Sequence, residues 1–191
     1  TRIPAAFNGI TGFKPTQDSI SRMGCLTLSS SLDSVGLMAK NVDLCKLGYD
    51  VMKDKKKQSL KSNVKDLKFI IPSNFGFENI EPDVESAFNS AKEKIINQGY
   101  NIIEEQLPML ETYKNIPLWQ FAAVECQAEY FEAYTEQKDL IDPNILKRMD
   151  RANDVMAVEY NLLLKMREDM IREFNNFLNK NFLLMPTVTI K

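Results

Sequence analysis

Ser29-Ser30-Ser31, followed at once by Leu32-Asp33, sets three hydroxyls beside a carboxylate. A nucleophile could be built from such a group only if a base took the hydroxyl proton. No base accompanies the run. The chain has no histidine, so a Ser-His-Asp triad, a Cys-His pair and a His-ligated zinc cannot be assembled from it. The serine run therefore reads as turn and strand-end hydrogen bonding. Asp33 reads as a structural carboxylate, paired or accepting backbone N–H groups. Gly9-Ile10-Thr11-Gly12-Phe13-Lys14-Pro15-Thr16 invites a phosphate-loop reading. That loop needs Gly-Lys-Ser/Thr in succession at the start of a helix. Here Phe13 separates Gly12 from Lys14, and Pro15 removes an N–H and biases Lys14 toward an extended backbone. No nucleotide or other cofactor is expected. Cys25, Cys45 and Cys126 are odd in number and widely spaced, which suggests neither a disulfide framework nor a metal cluster. They fit a reducing, cytoplasmic setting.

The bulk properties exclude further classes. The 191 residues are 44% hydrophobic and 26% charged, enough for one sizeable core, and the net charge of −2 gives no reason for a polyanion partner. The basic run Lys53 to Lys57 is interrupted by Asp54 and reads as solvated linker, not as a nucleic-acid patch. No apolar run approaches the roughly 18 residues that suggest a membrane span, and no signal-like start is read.

The elements follow from pattern and punctuation. Pro4, Gly9, Gly12 and Pro15 predict tight irregular geometry and short strands over residues 1–40. Asn41 is a suitable N-cap for a helix reaching about Met52, with Val42, Cys45, Tyr49 and Met52 on one side. A polar linker follows to Asp66. Leu67 to Ile71 is a β-rich run ended by Pro72. Glu81-Pro82-Asp83 opens a helix with a stripe of Val84, Phe88, Ala91 and Ile95, closed at Gly99. Tyr100 to Ile103 is a second strand, so a parallel strand–helix–strand unit is expected. Further helices are predicted over Pro117 to Glu136, from Asp142-Pro143, and from about Asn153 to Asn179. Phe182 to Met185 reads as a buried strand stopped by Pro186-Thr187. Trp119, Phe121, Tyr130, Phe131 and Tyr134 share one predicted helix and read mainly as packing, with Trp119 or Phe121 as candidates to line an acyl pocket. Thr187 is a further pocket candidate, because ligands of open α/β sheets lie beyond strand C-terminal ends.

Three blocks, residues 1–16, 19–24 and 29–43, resemble the amidase signature family of serine hydrolases. The residues that match the family pattern are Arg2, Pro4, Ala5, Phe7, Gly9, Gly12, Lys14, Pro15 and Thr16, then Ser21, Arg22 and Gly24, then Ser31, Leu32, Asp33, Gly36, Val42 and Asp43. The match is dense over residues 2–43 and pattern-level from 60 onward. The resemblance implies an α/β fold with a mixed central sheet flanked by helices. The chain would be an incomplete single domain: 1–43 the second half of the signature core, 44–66 a helix and linker, 67–191 the β-α-β unit and helical region. It also implies a Ser–Ser–Lys arrangement that needs no histidine. The nucleophilic serine would precede Thr1 directly, so no catalytic residue is expected within the chain. Thr1, Arg2, Pro4 and Asp33 would be active-site scaffold, Arg2 bracing the nucleophile turn through backbone groups or a carboxylate such as Asp33.

The implied activity is hydrolysis of a small-molecule carboxylic amide through an acyl-serine, with the remainder of the same domain as partner and with neither nucleic acid nor membrane. The A subunit of a glutamine-dependent tRNA amidotransferase is an alternative, and a non-catalytic relative or structural fragment another. Two departures bear on the choice. Pro143 to Arg151, PNILKRMDR, stands where amidotransferase A subunits carry an FG-x-EVKRR type block, which favours a stand-alone amide hydrolase. Lys40-Asn41 stands where Arg-Thr is common, which removes a bidentate donor.

Overall fold

A computed structural model describes residues 1–53, 67–179 and 181–191. Of the polar linker expected from Lys53 to Asp66, residues 54–66, with most of the basic run, lie outside the described residues. The described chain divides into two compact units. The first comprises Thr1–Lys14, Gly36–Asn115 and Met170–Lys191, and the second Pro15–Val35 and Ile116–Asp169.

In the first unit, α1 (Arg2–Phe7) leads to β1 (Thr11–Phe13), which pairs antiparallel with β2 (Leu37–Ala39) in the register Gly12 opposite Met38. The α1 helix corrects the expectation of irregular structure at the start of the chain. Pro4 lies within the first turn, where an N–H would have no intrahelical partner, so its ring costs no hydrogen bond there. Ala5 and Ala6 then favour helix. Helix α2 (Val42–Met52) starts where Asn41 predicts it, with the Asn41 side chain accepting from the Leu44 N–H at 3.0 Å. Of the apolar stripe read on this helix, Cys45 is buried whereas Val42 and Met52 are exposed.

A three-stranded parallel sheet follows, β3 (Lys68–Pro72) lying between β4 (Asn101–Glu105) and β5 (Phe182–Leu183). Central position explains the apolar run: Ile70, Ile71 and Pro72 are all buried, as strands covered on both faces require. Pro72 is tolerated at the strand end because only β4 pairs with it. Between β3 and β4 runs α3 (Pro82–Asn97). It ends as Gly99 indicates, with Gly99 N–H donating to the Ile96 carbonyl at 2.8 Å and Tyr100 N–H to that of Ile95 at 3.3 Å. The α/β class is as the sequence implies, with antiparallel and parallel pairings in separate sheets.

A short helix after β4, α4 (Pro108–Lys114), escapes the sequence pattern. Its Leu107 N-cap and Leu110 are buried with Ile70 against Phe174, Phe177 and Leu183. Asn74 secures this junction. Its side-chain amide donates to the Leu107 carbonyl at 3.0 Å, and its carbonyl accepts the Leu107 N–H at 2.9 Å. One side chain thus extends the β3–β4 ladder past the strand ends.

In the second unit, the helix expected over Pro117 to Glu136 is two helices, α5 (Trp119–Glu129) and α6 (Phe131–Glu136). Tyr130, at φ −109° and ψ 33°, leaves the helical region and turns the chain. Helix α7 (Pro143–Asp150) is capped by Asp142, whose carboxylate accepts from the Asn144 N–H at 2.8 Å. The long helix α8 (Ala157–Leu178) begins later than expected, after a short 3₁₀ turn at Arg151–Asp154. Its residues up to Asp169 belong to the second unit and the rest to the first.

The Asn74 pairing yields a stability prediction. Asn74→Ala should cost about 2 kcal/mol, because it strands the N–H and C=O of fully buried Leu107. Asn74→Asp should lose at least as much, since it keeps the acceptor for the Leu107 N–H but turns a carboxylate oxygen toward the Leu107 carbonyl and the Glu111 carboxylate. Urea unfolding of the two variants against the parent checks the order.

Candidate functional site

Around Thr1 the first unit is built on very close approach. The Thr1 carbonyl accepts the Ala5 N–H at 3.3 Å as α1 begins. A Cβ on Gly12 would lie 2.7 Å from the Ala5 Cβ and 2.9 Å from the Thr1 carbonyl oxygen. One on Gly36 would collide with the Thr1 side chain at Oγ1 and at Cγ2. The glycines at these two positions of the sequence pattern therefore let β1 and the start of β2 press against Thr1. Arg2 and Pro4 are exposed on α1. Lys14 is held below its ordinary pKa, first by burial and then by the positive charge of Arg2.

Asp33, by contrast, belongs to the second unit, so Arg2 and Asp33 do not share a unit. Its carboxylate accepts the backbone N–H groups of Leu28 at 2.8 Å and Ser29 at 3.0 Å. That is a structural role for a half-buried acid, and it shapes the turn that carries the serine run.

The serine run meets a partner that sequence reasoning missed. Glu125, on α5, accepts the Ser29 hydroxyl at 2.5 Å and the Ser31 N–H at 3.0 Å on one oxygen, and the Tyr160 hydroxyl at 2.5 Å on the other. Burial raises the pKa of Glu125, but the hydrogen bonds from Ser29, Ser31 and Tyr160 outweigh it and leave the carboxyl below its ordinary value. Burial first, then the hydrogen bond to Glu125 and its charge, push Tyr160 up to about 12. The Ser31 carbonyl in turn accepts from Gln17 Nε2 and from an Arg167 nitrogen, each at 2.9 Å. Arg167 also donates to Gln17 Oε1 at 3.1 Å. The signal that could have exposed Glu125 is its setting: it is the one ionisable group in Trp119-Gln-Phe-Ala-Ala-Val-Glu125-Cys126 apart from the Cys126 thiol.

The pocket candidates separate. Trp119 lines a cavity of about 210 Å³ in the second unit, together with Ala122, Cys126, Met149, Arg148 and Arg151. The Arg151 guanidinium stacks on the indole, 3.8 Å from the ring centroid. Phe121 is absent from that lining: it is 1% exposed and packs edge-on against Tyr160, with centroids 6.1 Å apart. It packs in the core of the second unit. Thr187 is exposed in the first unit, two residues before Thr189, whose carbonyl accepts the Glu81 N–H at 2.8 Å. Trp119 and Thr187 therefore do not lie in one unit.

Among the described residues, no three of Cys, Asp and Glu gather as a metal site would require, and no helix is long and apolar enough to cross a membrane.

The fold is shared with solved structures of hydrolases. The crystal structure of an amidase aligns with TM-score 0.75 at 22% identity, covering 91% of this chain and 39% of that one. Kluyveromyces lactis allophanate hydrolase aligns with TM-score 0.78 at 21% identity, covering 95% of this chain and 32% of its own. Fatty acid amide hydrolase aligns with TM-score 0.75 at 19% identity, covering 99% and 37%. The chain belongs to the Amidase family, whose pattern matches residues 1–191. It is 31% identical over 121 residues to the A subunit of glutamyl-tRNA(Gln) amidotransferase from Fusobacterium nucleatum, covering 56% of this chain and 25% of that protein. It is 37% identical over 123 residues to the corresponding protein of Methanosarcina barkeri, covering 58% and 26%. The chain spans about a quarter of the length of these curated relatives.

Glu125 supplies two predictions. Glu125→Ala should destabilise the protein by about 2–4 kcal/mol, since it strands the buried Ser29 hydroxyl and the Ser31 N–H. The second concerns pH. Because the folded state holds this carboxyl below its usual 4.5, its contribution is complete above that pH and is lost as pH falls through the folded value. Glu125→Gln should therefore be less stable than the parent at pH 7, with the difference shrinking at progressively lower pH. Chemical denaturation at pH 7 and on the acid side of 4.5 measures both.

Proposed function

We propose that the protein is an amide-cleaving enzyme in which residues 1–191 supply scaffold and substrate-facing structure. On this reading a serine directly preceding Thr1 attacks the carboxylic amide carbonyl and forms an acyl-enzyme. A lysine and a second serine carry the proton to the leaving amine. Backbone N–H groups of the turn before Thr1 hold the oxyanion. None of these groups lies within residues 1–191, so those residues alone should turn over no amide. The observation that carries the reading is the crowding of Thr1 by Gly12 and Gly36, within a chain matched over its length by the Amidase family. A residue next to a nucleophile must be held to a fraction of an ångström for attack to be in line, and packing without side chains does this. Thr1, Arg2 and Pro4 are the scaffold at the start of α1, and Asp33 fixes the serine-run turn. The three unpaired thiols support a reducing, cytoplasmic compartment.

A second reading is transfer rather than hydrolysis: release of ammonia from glutamine and its delivery to a mischarged tRNA, with partner subunits. The names and 31–37% identities of the curated relatives favour it. The sequence at Pro143 to Arg151 favours the first. Glutamine-dependent conversion of mischarged tRNA that vanishes when partner subunits are removed would establish the second reading over the first.

The test of the scaffold uses the full-length protein and a fluorophosphonate serine probe. The parent should label covalently. Gly36→Ala, which displaces Thr1, should label at least tenfold more slowly while its far-ultraviolet dichroism stays the same. A parent that does not label, or that labels with the nucleophile-deleted protein equally fast, would overturn the acyl-serine reading.

A further inference from the structure

The ladder of β1 and β2 is continued past its last backbone pair by a side chain. Phe13 stands opposite Leu37, and the same register carried onward sets Gln17 opposite Asp33. Pro15 has no N–H with which the backbone could extend the ladder. Gln17 supplies the missing donor. Its Nε2 donates to the Ser31 carbonyl at 2.9 Å and to the Asp33 carbonyl at 3.3 Å. The direction of that amide is set by α8. Arg167 Nη2 donates to Gln17 Oε1 at 3.1 Å and to the same Ser31 carbonyl at 2.9 Å. A guanidinium carries donors only, so it holds the amide in this orientation. With the amide reversed, an NH₂ group would face the guanidinium and an oxygen would face two carbonyls. One half-buried arginine thus fixes the polarity of Gln17 and closes the connection between β1 and β2.

That connection leaves from Lys14, three residues before Gln17, and returns to Gly36, three residues after Asp33. A Cβ on Gly36 would strike the Thr1 side chain and lie 3.1 Å from the Phe13 carbonyl oxygen. The path of the chain into Gly36 therefore bears on where Thr1 sits. We propose that Arg167 is a positioning residue for the turn at Thr1, acting through Gln17 on the strand ends that crowd Thr1. Arginine suits the task because its planar, pre-organised donors fix two acceptors at once, where an ammonium is a point charge on a flexible stem. The proposal rests on the acyl-serine reading, since a nucleophile next to Thr1 is what gives that position its consequence.

Labelling of the full-length protein by a fluorophosphonate over a range of probe concentrations separates positioning from binding. Arg167→Gln should lower the maximal labelling rate at least tenfold and leave the concentration that gives half that rate within twofold. Arg167→Lys, which returns a donor to Gln17 without the fork, should fall between. Gln17→Leu should slow labelling as Arg167→Gln does. The double variant should be no slower than the slower single one, because both act along one path. A purely structural role would lower the urea midpoint and leave the rate of the folded protein unchanged. Hydrogen exchange is a second measurement: in Arg167→Gln, peptides covering Leu37–Ala39 should exchange at least tenfold faster, with those covering Lys68–Pro72 unchanged. Should Arg167→Gln not fold, Arg167→Lys and Gln17→Leu carry the same comparisons. The proposal is overturned if the folded variants label as fast as the parent, if only the half-rate concentration changes, if the two single losses multiply, or if exchange at Leu37–Ala39 is unaffected. A parent that does not label overturns the acyl-serine reading and this proposal with it. A parent that labels beside an unaffected Arg167→Gln overturns the proposal alone.

Discussion

The carboxylate of Glu125 is the constraint on which the second unit is organised. Pro15–Val35 contains no helix or strand, so its backbone polar groups lack the ladders that satisfy them elsewhere. Glu125 receives a hydroxyl and an N–H from the serine run, and Tyr160 fixes the other oxygen. Gln17 and Arg167 cover the Ser31 carbonyl, and Asp33 covers two N–H groups of the same turn. Irregular backbone is thereby held as tightly as a regular element, by ionised side chains that take several bonds each. A partly buried ionised carboxylate with three donors is favourable where one with none would be costly.

The first unit solves a different problem by different means. Around Thr1 the requirement is proximity, and it is met by leaving atoms out. At the junction of β3 and β4 the requirement is continuation, and Asn74 meets it by imitating a peptide group. Neither device adds much apolar burial. Both fix position, which is what a scaffold next to reacting groups must contribute.

Much of this was legible in the residues, for reasons that can be named. Asn41, Asp142-Pro143 and Gly99 mark helix ends because caps are local, and the β3-α3-β4 unit is visible because its apolar periods change from two to nearly four. Helix α4 was hidden because seven residues give too few turns for a period, and its helicity is fixed by the contacts of Leu107 and Leu110. Helix α1 was hidden because proline and glycine dominate its signal, although Pro4 sits where a helix tolerates it. The break at Tyr130 has no sequence marker. Of the candidate site residues, Thr1 and Asp33 stand out through the spacing of their motifs. Phe121 reads as either packing or pocket because an aromatic on a helix carries no sign of which way burial will go. Glu125 was overlooked because its partners come from segments about ninety-five residues back and thirty-five ahead.

The three thiols differ in a way that bears on how this chain can be handled. Cys45 and Cys126 are buried, while Cys25 is exposed on the segment that Glu125 and Asp33 organise. A bulky maleimide or iodoacetamide reagent therefore meets one reachable sulfur in the native state and three in the unfolded one. The natural sequence already contains a site for a dye or spin label on its least regular stretch, without an engineered cysteine. The mobility of that label would register whether the carboxylate beneath the stretch is holding it.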